Sequence, residues 1–238
     1  MKVIIVKNHA EMSQKAAEII SKKVISKPNA VLGLATGGTP EETYKILVSK
    51  NLDWSSIKTF NLDEYSNIES THEMSYRFYM NNRLFDSINI DKANTHVPSG
   101  MANPVIEGKR YDDAILKAGG IDLQLLGLGT NAHIGFNEPG SSENGETGQV
   151  DLTDSTIKAN ARYFESANDV PRTAISMGIG SILKAKEILL IASGETKAQA
   201  VKDLVEGEIT TDVPASFLQK HSNAIILVDE AAARLLNK

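Results

Sequence analysis

Short, nearly continuous apolar segments alternate with longer amphipathic segments along this chain, and that alternation restricts its fold more than any other feature. The apolar segments predict strands at 3–6, 30–35, 57–62, 123–127, 173–177, 187–192 and 224–228. Apolar residues at helical spacing predict helices at 10–25, 40–48, 103–118, 197–206 and 230–236. Strands that are apolar on both sides are typical of parallel sheets with helices on both faces. We therefore expect an α/β fold with a mostly parallel sheet.

Composition fits one domain over residues 1–238 and excludes several classes of function. A net charge of −5 disfavours a nucleic-acid partner or an anionic membrane surface, and no apolar stretch approaches the roughly 20 residues of a membrane span. The absence of Cys excludes thiol nucleophiles, disulfides and zinc–thiolate sites. The five His residues show no metal-ligand spacing, so we expect no metal. The first apolar run is too short for a signal peptide, which predicts a cytoplasmic location.

A Gly-rich, polar segment at 127–140 follows one of the predicted strands and points most directly to function. Loops at the carboxyl ends of strands are where open α/β sheets bind ligands. His133 lies five positions before Glu138, and a carboxylate can select the tautomer of an imidazole and tune its pKa. The segment thus predicts an acid–base site, although His133 can also be purely structural. Asn131 and Asn137 flank the pair as candidate hydrogen-bonding partners of a polyol.

A second Gly-containing turn, Thr36-Gly37-Gly38-Thr39, lies between a predicted strand and a predicted helix. Amide N–H groups at the start of a helix form an anion site that suits a phosphate. The sequence matches neither of the common phosphate-loop patterns, and a tight turn with a Thr cap is the alternative interpretation.

Charged residues near other predicted strand ends complete the set of candidates. Asp63 and Glu64 end one strand, and adjacent side chains on a strand point to opposite faces, so only one of the two can reach a cleft. That carboxylate is a candidate general base, and a salt bridge or a helix cap is the alternative. Arg162 and Lys197 can clamp a phosphate, although most such residues are solvated surface charges.

The stretch 141–148 is polar, contains two Gly and has no apolar residue, which predicts a mobile loop. Together with the chain that follows it, the stretch can form a lid over a neighbouring site, at approximately 141–172. A solvated surface loop is the alternative interpretation.

Four motifs, taken in order, resemble the glucosamine-6-phosphate deaminase family over essentially the whole chain. They are TGGTP at 36–40, FNLDEY at 60–65, AHIGFNEP at 132–139 and PASFLQKH at 214–221. The resemblance implies a Rossmann-like three-layer α/β/α sandwich, related to phosphogluconolactonases and sugar-phosphate isomerases. It also implies a small-molecule sugar phosphate as the substrate, converted with water from glucosamine 6-phosphate to fructose 6-phosphate and ammonia, without a redox or metal cofactor.

The resemblance also implies roles for individual residues. Asp63 corresponds to the base that moves a proton between C2 and C1, and His133 to the group that opens the pyranose ring. Glu138 corresponds to the residue that orients His133, and Asn131 occupies a position where the family has Asp or Asn. The residues implied to hold the phosphate are Thr36, Gly37, Gly38, Thr39, Arg162 and Lys197.

Two departures from the family pattern bear on the catalytic loop and on regulation. Ala132 stands where the family commonly has Gly, and a positive φ there would be unfavourable for Ala, so we expect the turn to differ. Residues 141–150 contain two Glu and no Lys or Arg, whereas allosteric members carry basic residues there. We therefore expect no activation by N-acetylglucosamine 6-phosphate, and a monomer or small homo-oligomer.

Three alternatives to the leading interpretation remain open at this stage. The sequence does not specify the epimer, so galactosamine 6-phosphate is an alternative substrate. A 6-phosphogluconolactonase has a similar Gly-rich turn and His loop, but the NEP motif after His133 and the run Asp63-Glu64-Tyr65 favour the deaminase. A catalytically silent sugar-phosphate-binding regulator should have lost Asp63 or His133, and both are present.

Overall fold

The computed structural model describes residues 1–153, 157–158, 164 and 169–237. Seven strands of this part form one sheet: Lys2–Val6 (β1), Val31–Leu34 (β2), Lys58–Asn61 (β3), Thr95–His96 (β5), Leu123–Leu126 (β6), Ile188–Ala192 (β9) and Ala224–Asp229 (β10). Their spatial order is β1-β10-β9-β6-β2-β3-β5, and every neighbouring pair is parallel. A smaller antiparallel sheet contains Asp63–Tyr65 (β4), Gly148–Asp151 (β7) and Thr173–Ser176 (β8), in the order β4-β8-β7.

Helices cover both sides of the parallel sheet, which confirms the predicted Rossmann-like α/β architecture. The α-helices of the described part are His9–Ser26 (α1), Glu41–Ser49 (α2), Tyr76–Arg83 (α3), Pro104–Lys117 (α4), Ile179–Leu183 (α5) and Ala198–Glu206 (α6). No helix among the described residues is both long enough and apolar enough to cross a bilayer.

Burial explains why the predicted strands have their apolar character. Every residue of β6 and β9 is buried, because these inner strands are covered on both faces. The edge strand β1 is only partly covered, and Ile5 is exposed. Local signals also set helix starts: the Asn8 side chain accepts from the amide of Glu11 at the start of α1.

Two parts of the structure differ from the sequence-based prediction. The predicted strand 173–177 is present as β8, but it belongs to the antiparallel sheet rather than the parallel one. The predicted helix 230–236 is wrong, because this segment consists of turns, with the amide of Ala233 bonded to Asp229 O and that of Leu236 to Ala233 O. These two bonds are separate and do not continue into the repeated hydrogen bonds of a regular helix.

Helix α3 was not predicted, because its sequence has little apolar periodicity. Its mean hydropathy is low, and within the helix only Met80 is buried. The available signal was Ser75, which caps the helix by accepting from the amide of Phe78. Polar and aromatic residues on this helix face a cleft rather than the core, so the usual helical stripe is missing.

The stretch 141–148 contacts α4 and α5. The Asp112 carboxylate accepts from the amide and hydroxyl of Thr147 and from the hydroxyl of Ser181. Gly178 packs so closely against Gly145 that a Cβ at Gly178 would lie 2.3 Å from the Gly145 carbonyl. The first part of the predicted lid is therefore tied to the domain, and the movement of the segment as a whole stays a prediction.

Candidate active site

A cleft of about 870 Å³ opens at the carboxyl ends of four adjacent strands, β9, β6, β2 and β3. The order of strands along the chain runs in opposite directions on the two sides of the β6–β2 pair, so the cleft lies at the topological switch point of the sheet. Ligands of open α/β sheets bind at such points. Of the predicted site residues, the cleft is lined by Thr36, Gly37, Gly38, Thr39, Asp63, His133 and Lys197.

The Gly-rich turn after β2 forms one wall of the cleft. Gly37 has φ +99°, a left-handed conformation that Gly adopts without strain. Among the described residues, the amides of Thr36, Gly37, Gly38 and Thr39 donate no hydrogen bond to a protein acceptor. Several N–H groups without a protein acceptor in one short turn are suited to an anion.

Lys197 lines the cleft together with this turn. Burial lowers the pKa of its ammonium group, and no ion pair to Lys197 occurs within the described part of the chain. The carboxylate of Asp229, at the end of β10, accepts from the Ser193 hydroxyl (2.5 Å) and the Gly194 amide (3.0 Å). Asp229 thereby holds the turn that leads into Lys197, whose amide bonds to Gly194 O.

The two adjacent carboxylates after β3 have different surroundings, as the alternation of strand side chains predicts. Asp63 lines the cleft, whereas Glu64 accepts from the amides of Tyr65, Tyr76 and Arg77 at the start of α3. Glu64 thus acts as a helix cap. Burial, together with the neighbouring charge of Glu64, raises the pKa of Asp63 to about 8.

His133 is connected to Glu138 through Asn131. The Asn131 amide Nδ2 donates to Glu138 Oε2 (2.6 Å), and Asn131 Oδ1 lies 2.7 Å from His133 Nδ1. Because an ionised carboxylate only accepts, the amide nitrogen must face Glu138 and the amide oxygen must face the ring. The neutral imidazole therefore carries its proton on Nδ1, and its Nε2 keeps the lone pair with which it can accept a proton.

Two residues shape the loop that carries His133, one through a close contact with the ring and the other through its backbone conformation. A Cβ at Gly129 would lie 2.3 Å from His133 Nδ1, so only Gly lets the ring pack against the backbone there. Ala132 has φ +62° and is buried. The expectation that Ala132 avoids a positive φ is therefore wrong: Ala adopts the left-handed conformation, at a cost of about 1–2 kcal/mol.

Aromatic side chains form another wall, which the sequence analysis did not identify. Tyr65 packs against Tyr76 and Phe136, with ring centroids 4.9 Å and 5.8 Å away, and Phe164 contacts Tyr65 edge-on at 5.7 Å. The four rings belong to a second apolar cluster and line the cleft. The sequence contained a weak signal, since Tyr65 and Phe136 lie within the two motifs that contain Asp63 and His133.

Several other candidates lie elsewhere. Asn131 and Glu138 are not among the residues that line the cleft, and Asn131 contacts both His133 and Glu138. The idea that Asn137 binds a polyol is wrong, because its buried amide donates to the carbonyls of Ile134 and Met177. Arg162 lies outside the described residues. Within the described residues, no group of three or more His, Asp or Glu is arranged to hold a metal ion.

Known proteins resemble this chain over its full length. A protein of Clostridium perfringens strain SM101 named glucosamine-6-phosphate deaminase is 53% identical over 241 residues, covering 99% of this chain and 100% of the relative. The protein of that name from Clostridioides difficile strain 630 is 52% identical over 242 residues, with coverage of 100% and 97%.

Solved structures agree with the fold. A monomeric glucosamine-6-phosphate deaminase superposes with a TM-score of 0.96 at 47% identity, over 99% of this chain and 100% of that one. The 6-phosphogluconolactonase of Leishmania guyanensis has a TM-score of 0.80 at 18% identity, over 100% and 99%, which shows a shared fold only. The sequence profile described as glucosamine-6-phosphate isomerases/6-phosphogluconolactonase matches residues 7–227. With this match and relatives above 50% identity, the chain belongs to the glucosamine-6-phosphate isomerase/6-phosphogluconolactonase family.

Proposed function

We propose that this protein is a glucosamine-6-phosphate deaminase, which converts glucosamine 6-phosphate and water to fructose 6-phosphate and ammonia. The observation that carries the proposal is the presence of three chemical groups in one cleft: a buried carboxylate (Asp63), an imidazole (His133) whose Nε2 makes no hydrogen bond to a described residue, and an anion site of backbone amides with Lys197. The two relatives above 50% identity described above, both named glucosamine-6-phosphate deaminase, support the same activity.

Ring opening and proton transfer, the first two steps of this reaction, each have a candidate group in the cleft. Opening the pyranose ring requires a proton to leave the hydroxyl on C1 and another to reach the ring oxygen, and His133 exchanges protons through Nε2. The open chain then has an aldehyde at C1 and an amine at C2. Asp63 removes the proton from C2 while O1 takes up a proton, which gives an enolamine. Asp63 then returns its proton to C1 while the amine nitrogen loses one, which leaves a hydroxyl on C1 and an imine at C2. Water adds to this imine and releases ammonia and the ketose.

The proposed roles fit the surroundings of the two groups. A base with a raised pKa can both accept a carbon-bound proton and return it near neutral pH. The bond from Asn131 to His133 selects the tautomer, and Glu138 holds Asn131 in turn. The Gly-rich turn and Lys197 hold the phosphate, so that binding energy from the unreactive end of the substrate aligns C1 and C2. Arg162 is proposed as a further phosphate ligand on the family resemblance alone.

The test is ammonia release from glucosamine 6-phosphate, with galactosamine 6-phosphate and 6-phosphogluconolactone measured in parallel. We expect ammonia from glucosamine 6-phosphate, and loss of this release in the Asp63→Asn variant. Preference for galactosamine 6-phosphate would change the substrate assignment. Hydrolysis of the lactone without ammonia release from either amino sugar would overturn the proposal.

A further inference from the structure

We propose that Tyr79 is a positioning residue that sets the orientation of the Gly37–Gly38 peptide in the anion site, with Tyr44 doing the same for the Ala35–Thr36 peptide. This inference rests on the proposed function, since it assumes that the turn holds the phosphate of the substrate. It assigns to two tyrosine hydroxyls outside the reaction chemistry the task of shaping that site.

Both hydroxyls donate hydrogen bonds to carbonyl groups of the turn. Tyr79, on α3, donates to Gly37 O at 2.7 Å, and Tyr44, on α2, donates to Ala35 O at 2.5 Å. A carbonyl oxygen only accepts, so each tyrosine is the donor. The carbonyls of two alternate peptides in the turn are therefore held by side chains from two different helices.

A hydrogen bond that fixes the direction of a carbonyl also fixes the direction of the N–H in the same peptide group. In a planar trans peptide the C=O and the following N–H point in opposite directions. The bond from Tyr79 to Gly37 O therefore directs the Gly38 N–H away from Tyr79, and the bond from Tyr44 directs the Thr36 N–H away from Tyr44. Neither N–H has an acceptor among the described residues, and both residues line the cleft.

The orientation of the Gly37–Gly38 peptide depends on such a hydrogen bond more than the orientations of the neighbouring peptides do. Its rotation changes ψ of Gly37 and φ of Gly38, and Gly restricts neither angle. A flipped peptide would present a carbonyl oxygen to the phosphate, and two negatively polarised oxygens repel. The Tyr79 hydroxyl stabilises the orientation in which the N–H is available, so less ordering is required when the phosphate binds.

Tyr79→Phe is the informative variant, because it removes one hydroxyl and keeps the ring against Arg83, whose guanidinium lies 5.8 Å from it. We expect the KM for glucosamine 6-phosphate and the inhibition constant of inorganic phosphate to rise about threefold to tenfold, since a net hydrogen bond is worth about 1 kcal/mol. We expect kcat to change less than about twofold. Tyr44 is fully buried, so its variant would also perturb the core.

Tyr76→Phe is the matched control, because it removes a hydroxyl from the same helix and the same cleft. We expect it to leave the inhibition constant of phosphate unchanged. A second readout is the ¹⁵N NMR signal of the Gly38 amide, whose shift on adding inorganic phosphate should be smaller in Tyr79→Phe than in wild type at the same phosphate concentration.

The possible outcomes separate this inference from the proposed function. Unchanged phosphate affinity in Tyr79→Phe, or an equal loss in Tyr76→Phe, would overturn the positioning role even if wild type releases ammonia. Lower kcat with unchanged KM would do so as well. If wild type releases no ammonia but Tyr79→Phe binds phosphate more weakly, the positioning role of Tyr79 would be supported and the proposed deaminase activity overturned. A wild-type protein that binds no phosphate would overturn the positioning role.

Discussion

At the scale of single residues, the site depends on two adjacent carboxylates, Asp63 and Glu64, whose side chains point to opposite faces of the strand. The Glu64 carboxylate accepts hydrogen bonds from two backbone amides at the start of α3 and from the amide of Tyr65, whereas Asp63 faces the cleft with few compensating contacts. Burial raises the pKa of both groups, to about 7 for Glu64 and to about 8 for Asp63. The charged form of Asp63 is therefore unfavourable for folding, but its raised pKa makes the carboxyl group suitable for proton transfer near neutral pH.

The Asp63→Asn variant should lose about 10²–10⁴-fold in kcat, because the amide keeps the shape but cannot take a proton. It should also unfold at a higher temperature than wild type at pH 9. Between pH 3.8 and about 8 the folded state retains the Asp63 proton that the unfolded state releases, so wild-type stability falls as pH rises. Thermal unfolding at pH 4 and pH 9 checks this, and a stability difference independent of pH would contradict it.

The pH dependence of the wild-type rate tests the role of Asp63 directly. A general base acts in its deprotonated form, so kcat/KM should fall as the pH decreases below about 8, rather than below the usual Asp value of 3.8. In Glu64→Gln this acidic limb should move to lower pH, since the neighbouring negative charge is removed. A limb that stays near pH 4 in wild type, or does not move in the variant, would argue against this assignment.

At the scale of elements, turns at the carboxyl ends of neighbouring strands bring together residues that are far apart in sequence. The loop after β6 holds His133 through the close approach of Gly129, and the turn after β9 holds Lys197 through Asp229 on β10. His133 is therefore positioned by a contact within its own loop and Lys197 by a neighbouring strand, rather than by their rotamers alone.

Gly129→Ala should lower kcat by roughly 100-fold, because the new methyl group would displace the His133 ring from Asn131. Gly127→Ala is the matched control, since a Cβ at Gly127 would have no neighbour within 4 Å in the described part of the chain. Histidine ¹⁵N NMR in both variants would report the Nδ1 proton. Normal kcat in Gly129→Ala with an unchanged ring signal would show that the loop adapts.

Asp229→Asn should raise KM about threefold to tenfold and leave kcat nearly unchanged. The Asn side chain has no negative charge and its amide nitrogen cannot accept, so the hydrogen bonds that hold the turn leading into Lys197 become weaker. Steady-state kinetics together with thermal unfolding check the prediction. A lower unfolding temperature with an unchanged KM would mean that Asp229 only joins β9 to β10.

At the scale of the whole molecule, the stretch 141–150 bears on whether a second sugar phosphate regulates the proposed enzyme. In the stretch 141–150, Glu143 is paired with Lys220 at 2.7 Å, so a cation near this stretch is already engaged by a carboxylate. An anionic effector would have to displace that contact.

We therefore expect a monomer near 25.8 kDa and a hyperbolic dependence of rate on substrate, without activation by N-acetylglucosamine 6-phosphate. The 47%-identical relative of known structure is also monomeric. Sedimentation velocity and initial rates measured with and without the effector test both expectations. A larger assembly, or a sigmoidal curve that becomes hyperbolic on addition of the effector, would contradict this prediction.

The sequence by itself determined the parallel sheet, the strand ends that carry the motifs, and the opposite orientation of Asp63 and Glu64. These features follow from local periodicity and turn chemistry, which act over a few residues. Only the tertiary structure decided that 173–177 pairs antiparallel, that Asn131 lies between His133 and Glu138, that Asn137 is buried, and that two tyrosine hydroxyls hold the Gly-rich turn. These features depend on contacts between segments distant in sequence, whose geometry is set by packing and hydrogen bonding across the whole domain.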